Sequence, residues 1–163
     1  MAEDRTNEAI WLDILKLQLD GVMMHNALFE YFELNGLTGY RNLHHHHAEE
    51  EYCTYLSLVK HYIESYQKVP EMSQISAPIV ELDGATVKEK MEKGMNVYQD
   101  WEISICRKLE NYKEELNETD DCLNKLIDNV HCELKYINLM QNDLLDGKYE
   151  ELNCYLTRKW GDI

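Results

Sequence analysis

The sequence predicts an all-α protein: four long helices packed as a bundle, with a short fifth helix at the C-terminus. Three observations predict it. Only two prolines and seven glycines punctuate 163 residues, which leaves long windows without a breaker. Within those windows apolar residues recur at steps of three and four, the spacing of one helix face. The windows are separated by two short turns and one long middle connection, the pattern of a bundle with one crossover.

The first helix is predicted over 7–34, with Trp11, Leu15, Gln18, Val22, His25, Phe29 and Phe32 on its inward stripe. Asn35-Gly36 ends it, because both residues tolerate the left-handed cap conformation. Leu37-Thr38-Gly39 is short enough that the second helix, over 40–67, returns antiparallel beside the first. Its inward face reads Tyr40, Leu43, His47, Glu51, Thr54 and Leu58, and Lys68-Val69-Pro70 stops it. From Val69 to Ala85 no helical period is present, although Ile75, Ile79, Val80 and Leu82 are apolar. A connection this long is expected to be a crossover along the bundle, those aliphatics covering its side.

The third helix is predicted over 86–116, with the stripe Val87, Met91, Met95, Tyr98, Glu102, Ile105, Leu109, Tyr112 and Leu116. An acidic turn at 117–121 leads into the fourth, over 120–145. There Leu123, Ile127, Val130, Leu134, Ile137 and Leu144 face inward, with Asp128 and His131 on the flank. Asp146-Gly147 breaks the chain, and 149–160 forms the short fifth helix. The length suits a single domain with a real core.

Composition narrows the function classes. A net charge of −15 argues against nucleic-acid backbone binding, which needs a basic surface. No apolar run approaches the ~20 residues that span a bilayer, and the acidic N-terminus lacks a signal-peptide core. Five cysteines, an odd number without zinc-type C-x-x-C spacing, read as reduced thiols. Cytoplasmic location is expected. His44-His45-His46-His47 is internal and in phase with its helix, so it is not a purification tag; His44 to His46 spread round the helix and are expected at a surface or inner wall.

Each long helix carries polar groups near mid-length: Gln18 and His25, then His47, Glu51 and Thr54, then Glu102, then Asp128 and His131. Ionisable groups in an apolar stripe are costly to bury unless paired or bound to metal. Contributions from four helices at matching heights point to a shared site, and carboxylates with imidazoles suit iron, manganese or zinc. Each residue also has a plainer reading. His25 alone would be a hydrogen-bonded core histidine, His47 and Glu51 a polar pair at the rim, and Asp128 and His131 a surface i, i+3 pair.

The segment Glu30-Tyr31-Phe32-Glu33-Leu34-Asn35-Gly36-Leu37-Thr38-Gly39-Tyr40, followed by Ala48-Glu49-Glu50-Glu51, resembles the ferritin family's helix end, turn and second helix. Lys68 to Val80 is similar to the ferritin crossover. Leu126 to Leu134 looks like the bacterioferritin helix in which Glu-x-x-His supplies two metal ligands. The resemblance implies a ferritin-like bundle that oxidises ferrous iron with dioxygen and stores it in a hollow homo-oligomeric cage, of twenty-four subunits in the usual case. It puts the bridging carboxylate on Glu51, a terminal one on Glu102, and the Glu-x-x-His pair on Asp128 and His131. His25, His47 and Gln18 are further ligand candidates. Gln18 and Thr54 stand where the family has Glu and His, which implies either a rebuilt, imidazole-rich site or a non-catalytic shell. The acidic turn of Glu118, Asp120 and Asp121 falls where such cages form cation channels, and His46, Glu49 and Glu50 where inner walls nucleate mineral. Iron, or another divalent metal, is the expected ligand. Met23 and Met24 are ordinary core methionines, so heme is not expected.

Overall fold

A computed structural model describes residues 5–71, 86–116 and 119–160. Among them are five helices and no strand: α1 (Asn7–Leu34), α2 (Thr38–Tyr66), α3 (Val87–Glu115), α4 (Asp121–Leu145) and α5 (Tyr149–Trp160). Among the described residues no helix is long and apolar enough to cross a membrane.

The helix ends follow from local chemistry. Thr6 and Asp120 cap α1 and α4, their side-chain oxygens accepting from the backbone N–H groups of Ala9 and Leu123. Thr86 and Glu89 form a reciprocal capping box on α3. Gly36 and Gly147 take positive φ, 68° and 78°. After α1, Leu37 N–H donates to Phe32 O and Gly36 N–H to Glu33 O; after α4, Lys148 N–H donates to Asp143 O and Gly147 N–H to Leu144 O. Both are the double closure that needs a left-handed residue past a helix end. Val87, read as the first inward residue of α3, is exposed, because the capping box places it at the solvent end of the helix.

Side-chain contacts set the helix directions. The N-terminal end of α1 meets the C-terminal end of α3 through Arg5 and Glu115, and Tyr31 OH donates to Lys90 O at the other end. Tyr62 and Lys68 reach Glu8, so α2 runs antiparallel to α1. Gln99 donates to Asn138 and Gln141 to Asn96, so α4 runs antiparallel to α3. The end of α2 and the start of α3 therefore stand at opposite ends of the bundle. Residues 72–85, with Ile75, Ile79, Val80 and Leu82 of the expected crossover, lie outside the described residues, as does Glu118 of the acidic turn.

The core divides into two apolar clusters. One gathers Ile14, Leu17, Leu58, Tyr62, Ile105, Leu109, Leu126 and Val130. The other gathers Met24, Leu28, Phe32, Leu43, Met95, Tyr98 and Ile137. On each long helix the gap between the clusters is where polar side chains fall: Gln18 on α1, Glu51 on α2, Glu102 on α3 and Glu133 on α4. Leu152 and Leu156 of α5 join the second cluster, and Gly39 N–H donates to Asn153 Oδ1 at 2.9 Å. A methyl group on Gly39 would meet the Asn153 carbonyl at 2.1 Å, so this glycine permits the close approach of α5 to α2. α2 packs against α1 and α5, and α4 against α3 and α5. A cavity of ≈ 670 Å³ opens between α2 and α4, with Trp160 at the end of α5 on its wall.

Candidate metal centre

Each long helix contributes polar side chains to the layer at a height set by helix spacing. Gln18 lies one turn below Val22, and His25 one turn above Gly21, on the α1 face turned to α2. Gly21 is the reason α2 can place a carboxylate here: a Cβ at that position would stand 2.1 Å from Glu51 Oε2. Gln18 Nε2 donates to the same Oε2 at 2.9 Å and fixes the Glu51 rotamer. The other oxygen, Oε1, lies 3.7 Å from His25 Nε2. Glu102 approaches from α3, its Oε1 also 3.7 Å from His25 Nε2.

Glu102 is fully buried, and neither of its oxygens has a hydrogen-bond partner among the described residues; His25 Nε2 has none either. Unpaired buried carboxylate oxygens are rare because nothing replaces their lost hydration. The 3.7 Å separations exceed hydrogen-bond reach, but they fit ligands of one ion. Two donors each about 2.1 Å from a common cation can stand anywhere up to about 4.2 Å apart. One ligand atom from each of His25, Glu51 and Glu102 lies within 4.8 Å of the others. The donor set is carboxylate and imidazole, as iron, manganese and zinc accept.

The ring of His25 is oriented from behind. Its Nδ1 stands 3.0 Å from His44 Nδ1, which places Nε2 toward the carboxylates. A ligating imidazole usually donates its remote N–H in this way. His44 is itself fully buried, stacked on Phe32 with ring centroids 5.4 Å apart. The expectation that His44 lies at a surface or inner wall is therefore corrected: the helix turn from Tyr40 carries it into the second apolar cluster. His45 and His46 are partly exposed, and the His46 ring stacks on Trp160 at 4.0 Å.

Electrostatics at the site are those of crowded charges in a dry place. Burial opposes charging of His25, but the Glu102 and Glu51 carboxylates beside it overcome this and push its pKa up to about 10. Burial pushes His44 and His47 well down, and the charge on His25 adds to the effect. Burial raises the Glu51 and Glu102 carboxyls. It pushes Glu133 up to about 7, with the charge of Glu102 contributing.

Of the sequence-predicted site residues, Gln18, His25, Glu51 and Glu102 converge. His47 adjoins them through Glu133, its Nδ1 3.2 Å from Glu133 Oε1. Asp128 and His131 do not converge with them; both are exposed. The structure places His131 against Glu110 and Cys106 on the outer flank of α3 and α4. The α4 carboxylate that faces the layer is Glu133, which also accepts from Tyr98 OH. Glu133 is not among the residues the sequence pattern singles out. Its spacing, three after Val130 and four before Ile137, was the available signal. Thr54 is partly buried on the cavity wall.

No protein-family model and no curated protein matches the chain.

Proposed function

We propose that the chain binds a divalent metal ion in the layer between its two apolar clusters, held by His25, Glu51 and Glu102. Glu133 and His47 extend the donor set toward the cavity, and Gln18 positions Glu51. The observation that carries this reading is Glu102, a fully buried carboxylate whose two oxygens lack hydrogen-bond partners among the described residues. Iron is the cation proposed. The antiparallel helix pairs and the mixed carboxylate–imidazole set support a ferritin-like role, the oxidation of ferrous iron by dioxygen and its storage in a homo-oligomeric cage. The roles that the resemblance implies for Asp128 and His131 pass in this proposal to Glu133 and His47.

A second reading has its own observation. His25, with a pKa of about 10, can itself serve as the cation between Glu51 and Glu102. The bundle would then be a ferritin-fold shell or binding protein without a metal centre, consistent with Gln18 and Thr54 in place of ligands. Anaerobic titration of the apoprotein with Fe2+, followed by admission of air, separates the two. Saturable binding that Glu102→Gln weakens, followed by ferric absorbance faster than in buffer, supports the iron-oxidising reading. Binding without accelerated oxidation leaves metal binding alone. No saturable binding favours the imidazolium reading.

A further inference from the structure

A different cluster lies one helical turn along α3 from Glu102, on the outer flank where α3 meets α4. Cys106 and Glu110 are four residues apart and share a helix face. His131 reaches across from α4 and places one ring nitrogen between them. His131 Nε2 stands 3.2 Å from Glu110 Oε1 and 3.6 Å from Cys106 Sγ. A cation beside that nitrogen would hold all three.

The separations match a coordination polyhedron. Zinc bonds of about 2.3 Å to sulfur, 2.05 Å to nitrogen and 2.0 Å to oxygen, at tetrahedral angles, give edges of about 3.6 Å for N···S and 3.3 Å for N···O. One ligand atom from each of the three residues lies within 4.8 Å of the others. Cys106 is buried, while His131 and Glu110 are half exposed, so the group opens to solvent on one side. The superficially similar group of His61, Asp120 and Cys122 differs in a decisive way. There Nε2 faces Asp120 and Nδ1 faces Cys122, opposite edges of one ring. That is a hydrogen-bonded chain, since one imidazole offers one ion one nitrogen.

We propose that Cys106, Glu110 and His131 form a second cation site, separate from the central layer, that takes zinc or another thiophilic divalent ion and leaves the fourth position to water. Its donor set of thiolate, imidazole and carboxylate selects softer ions than the sulfur-free central layer does. The ion would join α3 to α4 by a bond that apolar packing does not supply.

Cobalt(II) titration of the full-length chain tests this, because only a thiolate ligand gives the near-ultraviolet sulfur-to-cobalt charge-transfer band. A variant with Cys53, Cys122, Cys132 and Cys154 all changed to Ser retains Cys106 alone, and the band should saturate in it and be displaced by zinc. Cys106→Ser should lack the band, and His131→Ala, at an exposed position, should weaken cobalt binding by at least about tenfold. A four-serine chain without the band, or a His131→Ala variant of it whose cobalt affinity is unchanged, overturns the proposal. Failure of the central site would leave the band untouched, since no cysteine belongs to that site.

Discussion

Glu102→Met is expected to make the metal-free protein more stable and the metal-bound protein less so. The carboxylate is fully buried, and its nearest charged partner, His25 Nε2, is 3.7 Å away and shared with Glu51. Removing Glu102 therefore does not orphan the imidazole. It removes two buried oxygens without hydrogen bonds, each group of this kind costing about 1 to 3 kcal/mol. It also relieves repulsion with Glu51 and Glu133. Replacement of a whole buried ion pair by apolar groups of similar volume gains about 1 to 4 kcal/mol in favourable cases, whereas removal of one partner destabilises unless the remaining charge keeps another, the place Glu51 fills for His25 here. A gain of about 2 kcal/mol corresponds to a rise of roughly 4 to 8 °C in Tm for a chain of this size. Manganese at about 100 times its dissociation constant should add about 2.7 kcal/mol to the wild type, and little to the variant. The assay is thermal unfolding by circular dichroism with and without Mn2+, a harder ion chosen to avoid thiolates. The two melting curves should exchange order when metal is added. A Glu102→Met protein that melts below the wild type without metal would refute the reasoning, since the carboxylate would then be contributing to the apoprotein fold.

Gly21→Ala should separate binding from folding. Its Cβ would lie 2.1 Å from Glu51 Oε2, the movable end of a side chain, while alanine favours the helix by about 1 kcal/mol. The expected result is a Tm close to that of the wild type with Mn2+ affinity at least about tenfold lower; unchanged affinity by calorimetric titration would contradict the placement of Glu51. The apoprotein should lose stability as pH rises from 7 to 9; below pH 7 the depressed His44 and His47, which take up protons more readily in the unfolded chain, act in the opposite sense. His25 is raised from 6.5 to about 10, so its contribution is complete below 6.5 and is lost as pH rises through about 10. Glu133 is raised from 4.5 to about 7 by burial, so the folded state keeps a proton that the unfolded chain releases, and stability falls over that interval too. Bound Mn2+ takes the place of those protons and should flatten the profile. A Tm of the metal-free protein that climbs between pH 7 and 9 would show the sign for His25 to be reversed.

The all-helical class was legible because apolar steps of three and four run unbroken through four long windows, a property of residue order alone. Glu102 was legible for the same reason: Tyr98 before it and Ile105 after it fix the face on which it lies. Glu133 was not, because Leu134 stands beside it and successive residues are turned by only 100° on a helix. Either could face inward on spacing alone. The axial rotation of α4 lets both reach inward, Leu134 against the two clusters and Glu133 toward the polar layer, and that rotation is set by Val130 and Ile137 packing into different clusters, with α5 against α2 and α4 beside the cavity. The same rotation carries Asp128 and His131 outward. His44 is a parallel case: it could not be told from His45 or His46 until Phe32 and Tyr98 were seen to close over it. Sequence by itself determined which segments coil and which of their residues are chemically out of place in an apolar face, since both are local properties of the chain. Which of those residues meet, and at what distance, depended on how each helix is turned about its axis, and only packing between helices sets that.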